Sequence, residues 1–226
     1  MSNQSEYSTR IYLSSPTMHD LEMKYIQEAF ETNWVAPLGK NVDEFEKEIA
    51  SYIGIDHAAA LNSGTAGLHL AVKLCGIQRD DIVLCSDLTF SATVNPVSYE
   101  GGRQVFVDCE LDTWNMDSKA LEKALKVYPN TKAVIIAHLY GTPAKIDEIR
   151  ELCDYHNVPL IEDAAESLGA TYKGQQTGTF GTYSILSLVV LKNRTRCQVS
   201  YLAPSLASLI ILIERNKAYH LAPKAA

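Results

Sequence analysis

The 226 residues are 46% hydrophobic and 21% charged, the balance of a soluble globular protein with one good-sized core. The formal net charge of −7 argues against a phosphate-backbone binder, because nucleic-acid affinity rests on clustered Lys and Arg that this chain lacks. Five scattered cysteines (Cys75, Cys85, Cys109, Cys153, Cys197) show neither metal-ligand spacing nor a disulfide framework, so a reducing cytoplasm is the expected compartment.

Met1 to Thr9 is polar and lacks the apolar core of a signal or anchor, so it reads as a loose leader. Helical spacing of apolar residues then predicts one helix over Met18 to Glu31, through Leu21, Tyr25, Ile26, Ala29 and Phe30. A second is expected over Val42 to Tyr52, through Phe45, Ile49 and Tyr52, with a loop around Pro37-Leu38-Gly39 between them. Next come short apolar runs at Ala58 to Leu61, Ile82 to Cys85, Gln104 to Val107, Ala133 to Ala137 and Val158 to Ile161. Between them lie helix-like stretches at Ala66 to Cys75, Ala92 to Tyr99, Ser118 to Lys126 and Ile146 to His156. This alternation implies an α/β fold with a mostly parallel sheet covered on both faces. Beyond Ser187 no further β/α unit is recognisable. The uncharged stretch Cys197 to Ile213 has 17 residues, short of the ~20 that a spanning helix needs, and no membrane partner is expected.

Four expected strand ends carry candidate chemistry. Asn62-Ser63-Gly64-Thr65-Ala66-Gly67 opens a helix with small residues, whose free N–H groups and dipole suit a phosphate, although an N-cap alone would also explain them. The segment lacks both the three-glycine dinucleotide fingerprint and the Gly-Lys-Ser/Thr ending of a P-loop. Phe90 follows the second strand, where its ring either stacks on a flat cofactor or packs a core. His138 follows the fourth strand, as a ligand neighbour or a satisfied core histidine. The run Asn157 to Ile161 ends in Glu162-Asp163-Ala164-Ala165-Glu166, three carboxylates at the edge where open α/β sheets bind ligands.

A phosphate cradle, a stacking ring, an imidazole and a carboxylate in this order are the parts of a pyridoxal phosphate site. On these residues the chain resembles the DegT/DnrJ/EryC1/StrS sugar aminotransferases, of the aspartate aminotransferase fold type I, over about residues 10 to 187. The segments Ile11 to Pro16 and Asn33 to Gly39 are similar to members that aminate nucleotide-linked 4-keto-6-deoxy sugars of bacillosamine or exopolysaccharide type. The resemblance implies an N-terminal segment (1–15), a cofactor-binding large domain (16–187) and an atypical tail (188–226), with the smaller C-terminal domain missing. It implies pyridoxal 5'-phosphate as cofactor, an amino-acid donor (glutamate), a nucleotide keto sugar as acceptor, and a homodimer.

By the same resemblance Ser63, Gly64, Thr65 and Ser187 hold the phosphate, Phe90 stacks on the pyridine, and Glu166 lies near the phenolic oxygen. Asp163 pairs with the pyridine nitrogen and keeps it protonated. Lys192, five residues after Ser187, is the Schiff-base lysine and proton shuttle. The filler Leu188-Val189-Val190-Leu191 departs from the family, which has an aromatic residue after the serine and then a polar or proline-containing turn. With the glycine-rich continuation also missing, the tail from Leu188 is expected to be out of frame. Three rival readings stay open: a non-catalytic remnant that at most binds the cofactor, a sister sugar dehydratase whose relatives carry histidine in place of the lysine, and a plain nucleotide-binding Rossmann protein.

Overall fold

The computed structural model describes residues 22–36 and 38–187, and the backbone of 210–214. The tail lysine Lys192, its neighbours Leu188 to Leu191, the leader, the Ile11 to Pro16 motif and Cys197 lie outside the described residues.

Helices α1 (Glu22–Glu31) and α2 (Lys40–Ile53) come first. Phe45, Ile49 and Ile53 recur every four residues on α2, so one stripe is buried, at about 2 kcal/mol per side chain. Gly54, at φ 86, ends the helix in the left-handed conformation and returns its N–H to the Ala50 carbonyl. The alternating body follows: β1 (Ala58–Leu61), α3 (Gly64–Leu74), β2 (Ile82–Ser86), α4 (Asn95–Tyr99), β3 (Arg103–Val107), α5 (Ser118–Val127), β4 (Thr131–Ala137), α6 (Ile146–His156) and β5 (Leu160–Asp163). A two-stranded hairpin, β6 (Thr171–Tyr172) with β7 (Gln175–Gln176), precedes β8 (Tyr183–Ser187) and β9 (Ile210–Glu214).

One seven-stranded sheet runs β1-β9-β8-β5-β4-β2-β3. Strands β3, β2, β4, β5 and β8 pair in parallel, and β9 is antiparallel to both neighbours. Alternation along each strand splits the core in two. Val83, Cys85, Ile135, Ile161 and Ile185 face Leu68, Ala71, Val72 and Val97 of α3 and α4. Leu84, Val134, Ile136 and Leu160 face Leu121 and Leu125 of α5 and Ile146, Ile149 and Cys153 of α6, while α2 packs beneath Leu186.

Three expectations are corrected. The stretch Ala92 to Tyr99 is a short 3-10 turn, Ser91–Thr93, followed by α4, with Pro96 in the first turn of that helix. The strand expected at Val158 to Ile161 begins two residues later, because Asn157 caps α6 in the left-handed conformation, so Glu162 and Asp163 end the strand and do not follow it. The tail, where no further β/α unit was expected, supplies β9, which pairs with β8; the run Ile210-Ile211-Leu212-Ile213 has the β-branched composition that sheets favour. Among the described residues no helix is long and apolar enough to cross a membrane.

Candidate functional site

The carboxyl edge of the sheet, on the α3/α4 face, brings together residues far apart in sequence. Ser63 lies in extended conformation (φ −163, ψ 154) as the N-cap of α3, and its Oγ accepts the Ala66 N–H at 3.2 Å. That leaves the N–H groups of Gly64 and Thr65 without an intrahelical partner. The N-cap and the anion cradle are therefore compatible readings, with the Ser63 proton still available to a ligand. Helix α3 packs on the Ser91–Thr93 turn and on β5, the strand that ends in Glu162 and Asp163.

Phe90 opens that turn and is 74% exposed, so it packs no core and its ring is open to a ligand. The Thr93 N–H returns to the Phe90 carbonyl at 2.9 Å, and Thr93 Oγ1 donates to Asp163 Oδ2 at 2.7 Å. The Ala165 N–H donates to Asp163 Oδ1 at 3.1 Å. Burial pushes the Asp163 carboxyl above its usual range, and Thr93 and Ala165 only partly offset that. A nearby cation would complete this set.

Glu162, one residue earlier, points to the opposite face. Its Oε1 accepts from the Gly178 N–H and from His138 Nε2, the latter at 2.8 Å. Its Oε2 accepts from the Phe180 and Gly181 N–H groups at 3.0 and 2.9 Å and from Ser184 Oγ at 3.1 Å. His138 Nδ1 accepts the Ala144 N–H at 3.0 Å, which leaves Nε2 as the ring nitrogen that donates to Glu162. Burial pushes Glu162 up, but His138 and the Gly178 and Gly181 N–H groups outweigh it and hold the carboxyl below its usual range. The backbone can approach because Gly178, at φ +90, and Gly181 lack side chains; a Cβ on Gly181 would lie 2.7 Å from the Tyr183 carbonyl.

The three carboxylates thus divide. Glu162 pins the loop before β8, Asp163 faces the carboxyl edge of the sheet, and the half-buried Glu166 accepts the Tyr140 N–H at 2.6 Å. Tyr140 is left-handed at φ 52, ψ 28. Ser187 ends β8 two residues past Ile185, the register partner of Asp163, so it reaches the same edge. His138 is a satisfied core histidine whose N–H also holds the Asp163 carbonyl at 3.0 Å. The structure therefore gathers Ser63, Gly64, Thr65, Phe90, Asp163, Glu166 and Ser187 along one edge. Lys192 lies outside the described residues.

Sequence reasoning missed the Glu162 cage and Thr93. The period-two alternation of a strand already separates Glu162 from Asp163, whereas nothing local signals a threonine seventy residues from its partner. The donor set fits pyridoxal phosphate: helix-terminal N–H groups for an anion, an exposed ring for a flat heterocycle, and a buried under-coordinated carboxylate for a protonated nitrogen.

The sequence model of the DegT/DnrJ/EryC1/StrS aminotransferase family matches residues 16–197. EpsN of Bacillus subtilis (strain 168), a protein assigned as a pyridoxal phosphate-dependent aminotransferase, is 52% identical over 182 residues, 79% of this chain and 47% of that protein. GDP-perosamine synthase of Caulobacter vibrioides is 40% identical over 178 residues, 79% and 47% of the two chains. A solved aminotransferase from Psychrobacter cryohalolentis superposes with a TM-score of 0.78 at 28% identity, covering 90% of this chain and 49% of that one. The chain spans about half the length of the curated relatives it matches. Its architecture is that of the large domain of fold type I pyridoxal phosphate-dependent transferases. From the match along most of its length and the shared sheet, the chain belongs to the DegT/DnrJ/EryC1/StrS aminotransferase family.

Proposed function

We propose that this chain carries the cofactor-binding part of a pyridoxal 5'-phosphate-dependent aminotransferase that moves an amino group from an amino acid, glutamate, to a nucleotide-linked keto sugar in surface-polysaccharide or glycan biosynthesis. The observation that carries this reading is Asp163, a buried carboxylate with two donors on the ligand edge of the sheet, linked through Thr93 to the exposed Phe90 ring. Names among the relatives, such as GDP-perosamine synthase, support the sugar-nucleotide class.

When bound, pyridoxal phosphate supplies an electron sink for the charge left as a proton departs the amino-acid Cα. The chain's residues do the rest. Gly64 and Thr65 N–H groups, with the Ser63 and Ser187 hydroxyls, hold the phosphate in the field of α3. Phe90 offers a flat apolar face. Asp163 holds a proton on the ring nitrogen, because an adjacent carboxylate favours the cationic form. Glu166 would face the phenolic oxygen with the carboxylate oxygen that Tyr140 does not engage. Lys192 Nζ would hold the cofactor and carry the proton, which would require a partly neutral amine. The exposed rim of Phe90, Leu88 and Tyr140 supports assembly of the protein as a homodimer that covers this edge. The free thiols of Cys75, Cys85, Cys109 and Cys153 support a cytoplasmic location.

The test is an absorbance spectrum with added pyridoxal phosphate, before and after borohydride reduction, with peptide mapping of any fixed label. A label on Lys192 is the expected result. Clean protein without a fixed label would make the chain a non-catalytic remnant.

A further inference from the structure

Two threonine hydroxyls stand in line behind Asp163. Thr93 Oγ1 lies 2.7 Å from Asp163 Oδ2, and Thr89 Oγ1 lies 2.7 Å from Thr93 Oγ1. An ionised carboxylate only accepts, so the Thr93 proton points to Asp163. That hydroxyl has one proton, which leaves its oxygen to accept from Thr89. The chain therefore has one direction, from Thr89 through Thr93 to Asp163. Thr93 is 1% exposed and so shielded from bulk solvent, whereas Thr89 is half-buried.

The backbone makes this arrangement rigid. Thr93 closes the turn that Phe90 opens, through its N–H to the Phe90 carbonyl, so one turn sets both the exposed ring and the donor to the carboxylate. The Ala165 N–H holds the other oxygen, and the His138 N–H holds the Asp163 carbonyl. The residue is held at three points, two on the carboxylate and one on the backbone carbonyl, and each carboxylate oxygen keeps a lone pair free.

We propose that Thr93, backed by Thr89, is a positioning residue that orients the Asp163 carboxylate and stabilises its charged form, presenting it to a protonated nitrogen heterocycle. This rests on the proposed function for the identity of the heterocycle, but the coupling of Thr93 to Asp163 exists without any ligand. Burial raises the Asp163 carboxyl, and the Thr93 hydrogen bond is the largest of the opposing effects. The neighbouring titratable groups are His138, which favours the charged form of Asp163, and Glu166, which works against it.

The experiment is a carbon-13 NMR titration of the Asp163 carboxyl in the full chain without cofactor, assigned with D163N. T93V keeps the shape of the side chain and removes the donor. It should raise the Asp163 midpoint by about one pH unit, the value of one hydrogen bond to a charged group, while T93S restores it. T89V, at a more exposed position, should shift it in the same direction by less, and serves where T93V does not fold. A midpoint that stays within about 0.3 units in both valine variants overturns the proposal, as does a shift that T93S fails to reverse. A second arm measures pyridoxal phosphate binding by absorbance, with T93V expected to weaken it about tenfold and T93S within about twofold. Wild-type protein that binds no pyridoxal phosphate, but whose Asp163 midpoint responds to T93V, retains the positioning role and removes the aminotransferase reading. Tight binding that T93V leaves unchanged removes the role in presenting Asp163.

Discussion

Glu162 and Asp163 are consecutive, both buried, and opposite in design. Glu162 has five donors, supplied by three backbone N–H groups, a serine and the His138 imidazole. Asp163 has two donors and an ordinary strand carbonyl contact. The saturated carboxylate falls below its usual range and the under-coordinated one rises above it, although burial acts on both in the same sense. A buried charge is tolerated when donors replace the water it lost, and a site is where that replacement has been left incomplete. One side of β5 is therefore built for stability, and the other is the side to which the proposed function assigns a ligand.

The sharpest way to break this contrast is to remove the saturated partner. Glu162→Ala strands five donors at once and should cost about 3–5 kcal/mol, read as a fall in the urea midpoint of the far-ultraviolet signal. An unchanged midpoint would mean the cage contributes nothing. Gly181→Ala tests the same cage from its wall, because the new Cβ would meet the Tyr183 carbonyl at 2.7 Å and the Leu160 carbonyl at 3.0 Å. It should cost about 1–3 kcal/mol in the same assay.

Asp163→Asn should act in the other direction. An amide can still accept from Ala165 and meet Thr93, and the burial penalty on the charge disappears, so stability should stay level or rise by up to about 1 kcal/mol. Cofactor binding should be lost in the same variant. A large destabilisation would show that Asp163 is a second structural carboxylate.

The pH dependence sharpens the comparison further. Glu162 is lowered in the folded state, so its contribution is present above the unfolded value of 4.5 and is lost as pH falls through the folded value. Glu110 and Asp147, each lowered to about 2, act in the same sense, Glu110 between 4.5 and about 2 and Asp147 between 3.8 and about 2. Asp163 is raised, so its contribution is present below 3.8 and is lost as pH rises through its folded value. Stability should therefore climb more steeply above pH 4 in Asp163→Asn than in the wild type, measured as urea midpoints across pH 3 to 8. Equal slopes would place the Asp163 midpoint at its unfolded value.

Much of the framework was legible because it is local. The strand Ala58 to Leu61 and the helix Ile146 to His156 fall where apolar periodicity places them, and the other predicted strands and helices lie within a few residues, apart from the broken stretch before α4. Ser63 is readable as an N-cap from its neighbours alone. The hairpin β6–β7, with Lys173 at φ 49 and Gly174 at φ 85 in its turn, is not part of the sequence expectation, since two-residue strands carry too little pattern. Strand β9 was missed for another reason: a run of Ile and Leu suits several environments, and only its pairing with β1 and β8 assigns one.

By itself the sequence determined the α/β alternation, the two-sided burial of the parallel strands and the edge at which polar residues collect, because hydrophobic period and turn chemistry act within a few residues. Tertiary structure alone decided which carboxylate is caged and which is offered. Those partners, Thr93 for Asp163 and Gly178, Gly181 and His138 for Glu162, lie 16 to 70 residues away, and hydrogen-bond geometry across a folded sheet leaves no periodic trace along the chain.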